Sequence, residues 1–221
     1  MLTILSCLVL FSEALPAVAG LYFLPKFNSL RISIFVFLLV YSALNEYAAT
    51  YYILEGYGNN NHLFYNIRAF IHIPLLLLLY ISLIKIKAFR ITLSVIIIIL
   101  LGQLAFSATV ENIKFGYFFF NSIAGGLSII LATTFYLIDL LRHWDGMDLK
   151  SNLWLYVSLG FLLFYVVATP IEFTLQIAWF KTSSESLVSF FKLLRKLQST
   201  VIILMNVIIT LGFLWAKKKY N

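Results

Sequence analysis

Cys7 is the only cysteine in the chain, so neither an intramolecular disulfide nor a cysteine-rich metal site can form. Charge is also scarce. Asp, Glu, Lys and Arg make up 11% of the residues against 62% hydrophobic ones, a balance that would expose far too much apolar surface in water. Histidine is limited to His62, His72 and His143, of which only His72 lies well inside an apolar run. No basic leader precedes the first apolar run. Ala17-Val18-Ala19 before Gly20 has the look of a cleavage site, but Glu13 interrupts the run and Leu21 to Leu24 continue it, so a retained first helix is expected. There is no internal repeat, inverted or parallel, of the kind that builds many transporters.

What is present is a series of long apolar runs. A hydrocarbon core of about 30 Å needs roughly 20 helical residues. Such stretches occur over 2–24, 30–54, 63–84, 91–109, 117–141, 153–180 and 194–216. The expected fold is therefore an all-α polytopic membrane protein, a single seven-transmembrane-helix domain over 1–221 with no soluble domain. The net charge of +7 does not form a nucleic-acid patch, because the basic residues are dispersed at span ends. Lys26, Arg31, Lys85, Lys87, Arg90, Arg142, Lys150 and Lys217 to Lys219 fall on one side if the chain crosses seven times. By the positive-inside rule that side is cytoplasmic, with the amino terminus outside and the carboxyl terminus inside. Lys181, Lys192, Arg195 and Lys196 dissent. An amphipathic start to the last helix, opened by Thr182-Ser183-Ser184-Glu185 as a capping box, would let Lys192 and Lys196 reach headgroups while Arg195 turns inward.

The third span carries the densest polar set. Tyr65, Arg68 and His72 follow at spacings of three and four, which places them on one side of a helix. An arginine and a histidine facing lipid would be costly, so that side is expected to face protein. Glu13 shares a face with Ser6, Ala17 and Gly20 of the first span, with Pro16 nearby, and Ser42, Asn45 and Glu46 occupy the outer half of the second. Asn121, Gly125, Ser128 and Ala132 form a small-residue seam in the fifth. Asp139 ends that span where water can reach it. Ser158, Tyr165, Thr169, Glu172 and Gln176 share a face of the sixth.

The candidate site is thus an outer polar pocket built from Glu13, Glu46, Asn66, Arg68, His72, Glu172 and Arg195, with Gln103, Asn121 and Asn206 as further polar groups that also suit simple helix bonding. Three readings stand open. The pocket could serve a ligand-sensing module that works with a membrane or cytoplasmic signalling partner, with Arg68 gripping an anion. It could serve a small-solute or proton-coupled transporter, with His72 titrating beside Glu46. Or Glu13, Glu46 and His72 could hold a metal for intramembrane lipid hydrolysis.

Several known seven-helix chemistries are excluded. Leu197 to Ala216 contains no lysine, so no retinal is expected. Gly126-Leu127-Ser128 is followed by Ile129 and so lacks the rhomboid nucleophile turn, and the Pro-Gln pairs of SWEET-type sugar transporters are missing. His72 alone is too little for the multi-histidine zinc hydrolases.

The stretches Glu13-Ala14-Leu15-Pro16, Phe64-Tyr65-Asn66-Ile67 and Asn152-Leu153-Trp154 resemble a group of small seven-helix membrane proteins frequent in Bacteroidota, for which no activity is established. The resemblance implies a bacterial inner-membrane location. It also implies a glutamate in the third helix, where this chain has His72.

Overall fold

The computed structural model describes residues 4–27, 29–56, 61–110, 118–143, 148–179 and 185–217. Its helices are α1 (Ile4–Phe27), α2 (Leu30–Leu54), α3 (His62–Leu83), α4 (Lys87–Val110), α5 (Phe119–Arg142), α6 (Leu153–Trp179) and α7 (Glu185–Trp215), with a 3₁₀ turn at Leu149–Ser151 before α6. All seven are long and apolar enough to cross a membrane. Helices are the natural form here because, away from its ends, a helix bonds its backbone N–H and C=O groups within the segment, which hydrocarbon requires. The bounds follow the apolar runs closely except at α7, which starts nine residues ahead of the expected 194. The proposed capping box lies mostly outside the described residues.

Chain neighbours pack as α1 on α2 and α2 on α3, and α3 then packs directly on α5, α5 on α6, α6 on α7, and α7 back on α1. Six helices therefore close a ring. The remaining one, α4, is peripheral and packs on α3 and α5. Small residues set the close approaches. At Gly20 an added Cβ would lie 2.9 Å from the Val36 side chain and 3.2 Å from Phe213, joining α1, α2 and α7. The expected seam on α5 is buried, with Gly125 against Ile73 of α3 and Gly126 against Thr169 of α6.

One half of the ring is filled by aromatic side chains. Phe35 of α2 stacks on Phe213 with centroids 6.2 Å apart and meets Trp154 at 5.4 Å and Phe161 at 6.3 Å. Tyr80, fully buried, shares a hydrogen bond of 3.1 Å with Ser158. Leu76, Leu77, Leu79 and Tyr80 in the lower half of α3 are accordingly packed interior, while Leu78 faces outward.

Side chains bond the backbone at this same end. The Asn152 oxygen accepts the Trp154 N–H at 2.9 Å, the bond an N-cap residue makes to open a helix. The Lys26 ammonium donates to the Ala216 carbonyl, and the Lys217 N–H to the Ser151 carbonyl. The Ser151 hydroxyl, and after it Lys217, hold the Asp148 carboxyl below its ordinary range. Asp139 departs from expectation: it is buried, not water-exposed, and accepts the Lys85 and Ile86 N–H groups at 3.0 and 2.9 Å. The connection between α3 and α4 folds over it because those N–H groups have no helical carbonyl to bond.

Candidate functional site

Arg68 is the centre of the polar half. Its Nη1 lies 3.5 Å from Glu46 Oε2, and the Tyr65 hydroxyl donates to Glu46 Oε1 at 2.9 Å. Helical spacing puts Tyr65 and Arg68 one turn apart on α3, so a single carboxylate from α2 engages both. Glu13 of α1, Tyr41 of α2, and Tyr165 and Glu172 of α6 lie within electrostatic range of the guanidinium. Four helices thus contribute to one charged neighbourhood, with three carboxylates against one arginine.

The registers of α1 and α2 explain why Glu13 arrives there. The Tyr47 hydroxyl donates to the Leu10 carbonyl at 3.0 Å, and Gly20 meets Val36. In an antiparallel pair those two contacts bring Glu13 opposite the turn that carries Tyr41 and Asn45. Among the described residues, Glu13 Oε2, Tyr41 OH and Asn45 Nδ2 are buried with no hydrogen-bond partner. Buried polar groups are normally satisfied, and unpaired ones cost about 1–3 kcal/mol each.

Glu172 is held at the edge of this neighbourhood. It accepts the Ser122 hydroxyl at 2.7 Å and the Gln198 amide at 3.5 Å. Gln198 takes the place expected for Arg195, which is exposed. The reason is height rather than direction. α7 has 31 residues and runs about 46 Å at ~1.5 Å per residue, and none of its residues from Val188 to Thr200 is buried. Arg195 stands on a stretch too far along α7 for the ring to cover it.

The other expected members divide by role. His72 is buried one turn below Arg68, its Nδ1 bonded to the Ser42 hydroxyl at 2.9 Å and its ring edge-on to Phe161. It pairs with a hydroxyl, not with Glu46. Asn66 accepts the Phe118 N–H at 3.1 Å and so helps open α5. Asn121 donates to Ser107 at 2.8 Å and Asn206 to Ser12 at 3.2 Å, both joining helices. Gln103 is half-buried on α4. Among the described residues no three His, Cys, Asp or Glu side chains are grouped to hold a metal ion. Glu13 and Glu46 flank Arg68 while His72 turns to Ser42, so these three do not gather as the ligand set the hydrolase reading needs.

Among the described residues, seven apolar helices with ionisable side chains turned into the ring define an integral, multi-pass membrane protein. Comparison with known protein families, with curated proteins and with solved structures finds no match.

Proposed function

We propose that the chain is a membrane-embedded ligand-sensing module whose site is the polar space around Arg68, between α1, α2, α3 and α6. The observation that carries this reading is the set of buried, unpartnered atoms on Glu13, Tyr41 and Asn45. A ligand that satisfies them removes a standing energetic penalty, which is the differential affinity a sensor needs. The charge count selects its chemistry. Arg68 is engaged by Glu46, while Glu13 Oε2 lacks a donor and Asn45 Nδ2 lacks an acceptor, so the site favours a small amine that also carries an acceptor oxygen over a simple anion.

Output passes to a partner in the membrane or at its cytoplasmic side. The clustering of Lys26, Arg31, Lys85, Lys87, Arg90, Arg142 and Lys217 at the α1–α2, α3–α4 and α5–α6 end supports an amino terminus outside and a carboxyl terminus inside. The test is thermal stabilisation of the purified protein by a panel of small amines with and without an acceptor oxygen. A member that stabilises the wild type is expected to lose its effect in Glu13→Gln and keep it in Arg195→Gln. Equal stabilisation of Glu13→Gln, or none by any member, defeats the reading.

Proton-coupled transport is a second reading, favoured by the free Glu13 oxygen lying within one turn of Pro16 in α1. It requires proton-linked flux in liposomes that Glu13→Gln abolishes.

A further inference from the structure

On the opposite end of the bundle, the outer flank of α4 forms an open cleft with α3. Its volume is about 450 Å³, and its lining comprises Ile81 of α3 and Lys87, Arg90, Ile91, Ser94, Val95 and Ile98 of α4. The order along α4 is the informative part. Lys87 and Arg90 stand at the mouth, and Ile91, Val95 and Ile98, exposed by 53%, 49% and 71%, continue as an apolar wall.

From Lys87 to Ile98 the helix rises about 16 Å at ~1.5 Å per residue, close to half of the ~30 Å hydrocarbon core. The cleft therefore spans one leaflet, with cations at headgroup level and branched aliphatic side chains below. Among the described residues neither Lys87 nor Arg90 forms an ion pair. The nearby carboxylate, Asp139, is buried and directs its two oxygens to the Lys85 and Ile86 amides. The Ser94 hydroxyl bonds back to the Arg90 carbonyl at 2.9 Å, so recognition falls to the two cations.

We propose that this cleft binds one anionic membrane phospholipid, with its phosphate between Lys87 and Arg90 and an acyl chain along Ile91, Val95 and Ile98. Charge complementarity selects the headgroup, since basic pockets at helix ends recognise acidic lipids, and the apolar wall selects a lipid over a free phosphate. Because α4 lies outside the ring, the site does not depend on the Arg68 neighbourhood.

Native mass spectrometry of the whole protein, released from nanodiscs containing phosphatidylglycerol and phosphatidylcholine of equal chain length, tests the assignment. One phosphatidylglycerol is expected to be retained over phosphatidylcholine by about 30-fold, the combined effect of two cations near a membrane surface. Lys87→Gln with Arg90→Gln should bring the two lipids to parity. Val95→Trp, which fills the cleft and leaves the cations, should release the lipid. Arg31→Gln, which removes a cation at the same end of the bundle but outside the cleft lining, should change nothing. The proposal is overturned if the double variant keeps the preference, if Arg31→Gln lowers it equally, or if glycerol phosphate without chains displaces the lipid.

Discussion

Replacing Arg68 with methionine removes the one cation among the described residues that faces Glu13, Glu46 and Glu172, while keeping most of the volume. The Arg68–Glu46 separation of 3.5 Å corresponds to an attraction of about 5 kcal/mol at an effective dielectric constant of ~20. Loss of solvation on burying both groups offsets much of this. Removing one partner leaves the other with that loss and no return, which costs about 3–5 kcal/mol for a buried pair. Arg68 keeps 28% of its side-chain exposure and Glu46 16%, so water relieves part of the cost and the lower end, about 3 kcal/mol, is expected.

Glu46→Gln should cost less, about 1–2 kcal/mol, because the amide oxygen still accepts the Tyr65 hydroxyl. In the Glu46→Gln background, Arg68→Met should cost about 2 kcal/mol less than it does alone. That difference is the coupling between the two side chains. Equilibrium unfolding in mixed micelles, titrated with a denaturing detergent and followed by tryptophan fluorescence, measures all four corners of the cycle. Additivity to within about 0.5 kcal/mol would refute the electrostatic account and leave Arg68 as packing alone.

Two structural predictions stand beside it. Asp139→Ala should destabilise by about 3 kcal/mol and speed hydrogen exchange at the Lys85 and Ile86 amides, with Asp139→Asn intermediate because one strong acceptor remains. Gly20→Leu should cost about 1–3 kcal/mol through overpacking against Val36 and Phe213. The same change at Gly102, where an added Cβ would meet no other described side chain within 4 Å, should be neutral by the same unfolding assay.

The spans were legible because hydrocarbon thickness fixes helix length, and runs such as Leu30–Leu54 carry no competing pattern. The meeting of Glu13, Glu46, Arg68 and Glu172 was legible for a related reason: ionisable groups at depth have few places to go except the interior. Partner choice was not. Gln198 rather than Arg195 reaches Glu172 because the length of α7 outside the ring is a property of tertiary packing, not of periodicity. His72 looked like a neighbour of Glu46, yet the Ser42 hydroxyl, one turn before Glu46 on α2, lies at its level. Tyr41 gave no sequence signal of its own. It is one tyrosine among thirteen, and only the α1–α2 register sets it opposite Glu13. The peripheral place of α4 was equally hidden, since its Ile-rich run suits a central or an outer helix.

The closure of the ring by α1 and α7 has a consequence for biosynthesis. Ser12 meets Asn206 across 194 residues of sequence, and Lys26 meets the Ala216 carbonyl across 190. At a ribosomal speed of about 5–20 residues per second, the first helix waits roughly 10–40 s in the membrane before its final neighbour is made. During that interval the groove around Gly20 is open to whatever helix diffuses past, so a nascent chain stalled before α7 presents a ready mark for the quality-control machinery of its membrane.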